Sequence, residues 1–526
     1  MTRIIESITL NWLFYLGVFI VSYNIFCFTW NIYIHPLSKI PGPKTWAGSK
    51  LPFIRRLVSG TVVQDIQALH RQYGPIVRIS PNHVTFAATE AFQDIQQSRP
   101  GHKTFLKDPV WWKRQPGHPE SLTSAIDPAL HSRMRKALAP AFTARALRAQ
   151  VPYLQRHSDR LIERLEAELQ SRVLREDSER TFLGIDLGPW FQFTTFDIYG
   201  DLAFGETFLC LEKSRYHPWI ALLFDSVKVA SFVAAARLFP WLEWALLKCA
   251  PPSLKKVHRE HYQVVVEKVQ RRLNLETQRP DFVGQMIEAS GLLTSENENE
   301  KPKEEQLTLE EINATFMILA TAGSETTASV LTGTMNYLTQ NPDKMSRLVR
   351  EIRAAFGKYE DISVDGVKDL PYLNAVLHEG LRLCPPIPWV MPRLVPEGGD
   401  TVCGVWLPGN TSVSIQAYTI NRREDYFHSS TSFLPERWLP EAKSDSSSSS
   451  PFRHDRTQAL QPFNLGPRAC LGQNLAWAEM RLIAAKVLWK FDIDAIPGHD
   501  VRWEDLKTFF LVEKKPILLG LRNRAD

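Results

Sequence analysis

Cysteine is scarce in this sequence: six among 526 residues, at positions 27, 210, 249, 384, 403 and 470, with no two in a C-x-x-C pair. That spacing excludes a disulfide framework and a tetrahedral zinc site. It reads as reduced, mostly buried thiols in a cytosolic setting, with Cys470 set apart by its surroundings. No compact run of Lys and Arg is interleaved with aromatics, so nucleic acid is not an expected partner. The net charge of +5 suits an acidic protein face or an anionic lipid surface better. No Gly-rich βαβ fingerprint for a flavin or nicotinamide is found, so electrons for any redox step must come from another protein. Internal repeats are absent as well.

A further absence is local. Between Ser7 and Ser38 there is no Asp, Glu, Lys or Arg, and Ile8 to Trp30 is almost wholly apolar or aromatic. About 20 such residues suffice to cross a bilayer as a helix. The run is long for the apolar core of a cleaved signal peptide, and no small-residue cleavage site stands out. Residues 1–40 are therefore expected to form a membrane anchor and its flank, with 41–526 as one catalytic domain. Lys39, Lys44, Lys50, Arg55 and Arg56 follow the segment while Arg3 alone precedes it, which orients the body toward the cytosol. Ile40-Pro41-Gly42-Pro43 must end the helix. Two glycosylation sequons, at Asn313 and Asn410, then read as chance matches.

Helical periodicity dominates the rest, for instance over Arg156–Leu174 and Thr308–Leu338. Short alternating runs, Ile76–Ser80 and Thr411–Ile415, predict strands of a small sheet. The expected class is mainly α with small β-sheets (α+β), preceded by one transmembrane helix. Ser295–Gln306 reads as a solvated linker and Ser446–Ser450 as a low-complexity surface insertion. Thr308-Leu-Glu-Glu311 is a capping box that opens a helix. Yet the middle of that helix holds Gly323, Ser324, Glu325, Thr326 and Thr327. Glycine and β-branched residues disfavour a helix interior, and a buried carboxylate is costlier still unless paired. Local rules broken in one place suggest a functional site.

Near the C-terminus stands Phe463-Asn-Leu-Gly466-Pro-Arg468-Ala-Cys470-Leu-Gly472. This resembles the cysteine-ligand loop of the cytochrome P450 family, Phe-x-x-Gly-x-Arg-x-Cys-x-Gly, at every specified position. Five fixed positions would match by chance in about one chain of this length in 10⁴. The resemblance implies that Cys470 is the thiolate ligand of haem b, that Phe463 shields the sulfur, and that Arg468 points to a haem propionate. Gly466 would let the backbone turn tightly under the porphyrin, and Gly472 would allow close approach where the next helix begins. A thiolate pushes electron density to the iron and favours O–O cleavage.

Other segments resemble the same family. Glu379-Gly-Leu-Arg382, on a helix expected from Asp369-Leu-Pro371 to Cys384-Pro-Pro386, is similar to its E-x-x-R pair. Phe433-Leu-Pro-Glu-Arg437-Trp438 is similar to its P-E-R-F element, with Trp438 in place of Phe. The family's buried triad would then be Glu379, Arg382 and Arg437. His131-Ser-Arg-Met-Arg135 looks like its W-x-x-x-R pattern with His for Trp, implying that His131 and Arg135 reach propionates; a solvated basic helix face is the alternative. Arg393 resembles another propionate-binding residue.

Ala322-Gly323-Ser324-Glu325-Thr326-Thr327 matches the family's oxygen groove. By resemblance Gly323 leaves room for dioxygen, Thr326 holds it, and Glu325, expected near solvent, relays protons. The alternative is a helix whose threonines merely back-bond to carbonyls. The implied activity is an NADPH- and O2-dependent monooxygenase acting on a lipophilic molecule, of the microsomal fungal type that decorates secondary metabolites. Its expected electron donor is a membrane-bound NADPH–cytochrome P450 reductase, with cytochrome b5 as a further candidate. A docking face near Lys136, Arg453 and Arg456 and location in the endoplasmic reticulum membrane complete the expectation. Substrate segments would fall on 105–126, 224–247, 385–392 and 508–512. A haem-thiolate isomerase or dehydratase acting on a peroxide, and a non-catalytic haem sensor, share the cysteine loop but leave the Glu325–Thr326 pair unexplained.

Overall fold

Thr308 opens the central helix of the molecule as the capping box predicts. Its hydroxyl accepts from the Glu311 amide at 3.2 Å, and the Glu311 carboxylate accepts from the Thr308 amide at 3.0 Å. In this computed structural model, which describes residues 2–114, 117–173, 183–249, 251–275, 279–290, 307–443 and 450–524, the helix runs Leu309–Gln340. It is buried along most of its length and packs on Leu187–Phe204, itself buried nearly throughout. Helices Pro371–Leu383 and Gln473–Lys490 complete the core on other sides, sharing one hydrophobic cluster with it. A helix that is apolar all round needs such neighbours on every face.

The helix expected from Arg156 begins earlier, at Ala144, and runs to Val173 with Pro152 inside it. Its expected last residue, Leu174, lies outside the described residues, as do Ser295–Gln306 and 446–449. The sheets are small. One has five strands in the order Ile76–Ser80, His83–Phe86, Ser412–Ile415, Val390–Leu394 and Leu106–Lys107. A second joins Leu183–Asp186, Leu518–Asn523 and Phe491–Ala495. Thr508–Phe509 and Leu511–Val512 form a separate hairpin that turns at Phe510, whose φ is +63°.

The apolar N-terminal segment forms the helix Thr2–Tyr33, and its span Asn11–Tyr33 is long and apolar enough to cross a membrane. A second helix, Pro218–Arg237, passes the same test of length and composition, but half of its apolar window is buried. The lower end of the first helix docks on the body. Asn31 donates to the Gly48 carbonyl at 3.1 Å, and buried Arg78 donates to the Asn31 carbonyl at 2.8 Å. A side chain at Gly48 would collide with the Phe28 ring, so glycine is what admits this contact. The Pro41-Gly42-Pro43 stretch is likewise pinned, with the Arg78 amide donating to the Pro41 carbonyl at 2.8 Å. Of the five other cysteines only Cys210 and Cys384 are buried, fewer than composition suggests; Cys27 and Cys403 are partly exposed and Cys249 exposed.

Candidate haem and oxygen site

The loop Phe463–Gly472 is shaped by two backbone demands. Gly466 has φ +76°, and a side chain there would collide with the Gln96 carbonyl. Asn464 also adopts a left-handed conformation, at φ +61°, and its own side-chain oxygen accepts from the Leu465 amide at 2.8 Å. The Cys470 amide donates to the Phe463 carbonyl at 2.8 Å, which closes the loop. Cys470 is left accessible, whereas Phe463 is half-buried against Trp477, 6.2 Å between ring centres. Desolvation raises the thiol's pKa, opposed by a hydrogen bond from the Gly472 amide and by the charge of Arg135. Gly472 does not mark a close approach: a Cβ there would meet only Phe142, at 3.9 Å.

Below the loop lies a closed ionic network. Arg382 grips Glu379 with two bonds, of 2.7 and 2.8 Å, and Arg437 adds a third at 3.2 Å; all three side chains are fully buried. Arg382 also donates to the carbonyls of Asn421, Ser430 and Ser432. The sequence reading missed two members. Asp455 pairs with Arg437, and the Trp438 indole donates to Glu379 at 2.8 Å. Tryptophan in place of phenylalanine thus adds a donor to a buried carboxylate. Arg382 and Arg437, together with the Leu434 amide, hold the Glu379 pKa below the usual value despite complete burial.

Beside the loop the structure gathers cations. Arg135 donates to the Ala469 carbonyl at 2.7 Å, and Arg468 to those of Ala125 and Ile126 at 2.6 and 2.9 Å. Arg393, buried, donates to the Phe105 carbonyl at 3.2 Å. His131 is buried on the helix Pro128–Leu138, so the solvated-face alternative fails for it. Its pKa is pushed down to about 3 by desolvation and by the charges of Arg468, Lys107, Arg135 and Arg393. Desolvation and the nearby Arg468 likewise hold Arg393 at about 9. Lys107 is the residue that sequence reasoning missed: a buried lysine bonded to the Thr123 carbonyl, its pKa driven well down by burial and by Arg468 and Arg393. Among the described residues, Glu120 and Asp127 oppose this field. A buried concentration of like charge is costly alone and suits a ligand carrying carboxylates.

The central helix presents a different face. Ile318, Ala322 and Gly323 are exposed and Thr326 partly so, although Phe316, Ala320 and Ser324 beside them are buried. These accessible positions recur at helical spacing, so they form one stripe. A Cβ at Gly323 would find only Tyr199, at 3.8 Å. Thr326 donates to the Ala322 carbonyl at 2.7 Å, the back-bonded arrangement. Glu325 is not near solvent, contrary to expectation. It is buried, with Lys514 at 2.5 Å from one oxygen and Gln192 at 2.5 Å from the other. The helix Leu187–Phe204 and the C-terminal segment close over it, and neither is visible from the local motif.

The four segments expected to line a substrate site come together. The Trp111 ring lies 5.1 Å from Trp389 and 5.7 Å from Phe510, and Lys228 stands 4.8 Å from the Phe509 ring. The side chain of Phe224, where one segment was expected to begin, lies outside the described residues.

A cytochrome P450 profile matches residues 40–521. The P450 monooxygenase astJ of Aspergillus oryzae is 37% identical over 505 residues, covering 96% of this chain and 95% of the relative. An averantin hydroxylase of Dothistroma septosporum is 38% identical over 501 residues, covering 94% and 88%. The P450 monooxygenase stcF of Emericella nidulans is 38% identical over 515 residues, covering 97% and 99%. This chain belongs to the cytochrome P450 family, a class of haem-thiolate proteins served by a redox partner and acting on small molecules.

Proposed function

We propose that this chain is a haem-thiolate monooxygenase that inserts one oxygen atom of dioxygen into a lipophilic substrate, as a step in secondary-metabolite biosynthesis. The observation that carries the reading is the conjunction of an accessible Cys470, a buried cation cluster beside it and an opened stripe on the central helix. Family membership and the named relatives, one of them a hydroxylase, support it.

Cys470 is the proposed iron ligand. Phe463 covers the loop from one side, and Gly466 supplies the turn that brings the amides round. Lys107, His131, Arg135, Arg393 and Arg468 would hold the carboxylates of haem b, and the donor set fits because cations outnumber the acids near them. When bound, haem with a thiolate ligand supplies the activation of dioxygen.

The chain's own residues do the rest. Gly323 leaves space on the stripe, and the Thr326 hydroxyl, released from the Ala322 carbonyl by a rotation about χ1, can hold a proton donor there. Glu325 is proposed to relay protons to that site. Trp111, Trp389 and Phe510 make the apolar wall that orients substrate and excludes water. Residues 1–40 are proposed to anchor residues 41–526 to the endoplasmic reticulum membrane, facing the cytosol. Electrons would come from NADPH through a membrane-bound flavoprotein reductase, with cytochrome b5 as a second donor. Its acidic face would meet the exposed side chains of Lys136, Arg453 and Arg456.

The test is reconstitution with reductase, NADPH and an extract holding the accumulated precursor of a strain lacking this chain. An oxygenated product that requires NADPH supports the reading; conversion without reductase would favour a peroxide-rearranging enzyme. Thr326→Ala should retain haem yet divert electrons to hydrogen peroxide, and unchanged peroxide yield would remove Thr326 from the relay.

A further inference from the structure

Glu325 carries the proton relay in the reading above, yet its carboxylate is held on both oxygens by groups from two other elements. Gln192, on the helix Leu187–Phe204, donates to one oxygen at 2.5 Å. Lys514 meets the other at 2.5 Å and also donates to Ser329, one turn along the central helix, at 3.1 Å. Both partners of the ion pair are nearly inaccessible, at 12% and 7% exposure, so solvent screens it little. Gln192 is itself fixed, because the Tyr216 hydroxyl donates to its side-chain oxygen. Other titratable groups whose fields reach this assembly are Tyr216 and Asp186. Asp186 accepts from the Ile517 and Gly188 amides, at 3.2 and 3.1 Å.

Lys514 comes from the segment that leaves the hairpin Thr508–Val512, two residues past its end. Its neighbour Glu513 pairs with Lys228 of the helix Pro218–Arg237 at 2.8 Å. Adjacent side chains therefore tie one short segment to the central helix and to a helix of the substrate wall. The seat of the hairpin, which packs Phe510 on Trp111, sets where Lys514 stands.

We infer that Lys514 is a positioning residue: its ammonium is the counter-charge that holds the Glu325 carboxylate toward the C-terminal segment, and so couples that carboxylate to the substrate-lining hairpin. This rests on the relay reading. Removing the Lys514 ammonium takes away that counter-charge and disfavours the charged form of a carboxylate that stays buried.

The experiment compares the haem-loaded wild type with Lys514→Met, Lys514→Arg and Glu325→Gln. Infrared titration of buried carboxyl groups reads Glu325 directly, as the band that Glu325→Gln removes. In Lys514→Met that band should titrate about 1–3 pH units higher than in wild type, and Lys514→Arg should restore it. The pH profile of NADPH-driven dioxygen reduction should move the same way, which loss of packing alone would not produce. A Glu325 band that titrates identically in wild type and Lys514→Met overturns the inference. If Glu325→Gln leaves the dioxygen-reduction profile unchanged, the relay assignment falls, while the infrared titration still decides the role of Lys514.

Discussion

The two sides of the proposed haem site are built by opposite means. In the network below the cysteine loop, charge is saturated: Glu379, Arg382, Arg437 and Asp455 satisfy one another and the surrounding carbonyls, with Trp438 adding an indole donor. On the side of the central helix, polar groups are held in reserve. Glu325 is locked to Lys514 and Gln192, Thr326 is turned onto its own helix, and the stripe beside them is open. Rigidity and chemistry are thus kept on separate elements. A ligand loop must not move, so its support is a network in which every buried charge is matched. A proton path must change state, so its groups are paired in ways that a rotation or a shifted segment can undo.

The largest effect should come from breaking the saturated side. Glu379→Gln strands Arg382 in full burial and leaves Arg437 with Asp455 alone; it should cost roughly 3–5 kcal/mol, seen as a lowered denaturant midpoint and poor haem retention. Trp438→Phe removes one donor to a charged acceptor while keeping an aromatic ring. It should cost about 1.5–3 kcal/mol in the same unfolding measurement. A loss as large as that of Glu379→Gln would mean that packing of the indole, not its hydrogen bond, matters. The smallest effect is expected at the cation cluster, where several groups share one task. Lys107→Met should speed haem dissociation by about tenfold, near 1.4 kcal/mol, and Lys107→Arg should not. Transfer of haem to an apoglobin acceptor reads that rate.

How much of this was legible in the sequence divides along the same line. Motifs closed within a few residues were readable: the Thr308 capping box, the helix Pro371–Leu383 carrying Glu379 and Arg382, and the strand Ile76–Ser80. The turn at Gly466 was readable as well, because positive φ and close backbone approach leave few residue types. Partners brought from far along the chain were not. Nothing around Lys107 marks it as buried; its position follows from the edge pairing of Leu106–Lys107 with Val390–Leu394. Asp455 and Lys514 reach their arginine and carboxylate partners across 18 and 189 residues. The Glu325 environment was misread for that reason: its motif shows a carboxylate on a helix, while its burial is decided by two other elements. Trp438, visible in the sequence only as a replacement of phenylalanine, is a gained bond that only the folded network reveals.

The central claim is that Cys470 ligates haem iron as a thiolate. Its most direct test is the absorption spectrum of the reduced carbon monoxide complex of the wild type and of Cys470→Ala. A thiolate-type Soret band is expected in the wild type and lost in the variant; the same band persisting in Cys470→Ala would mean that Cys470 is not the iron ligand.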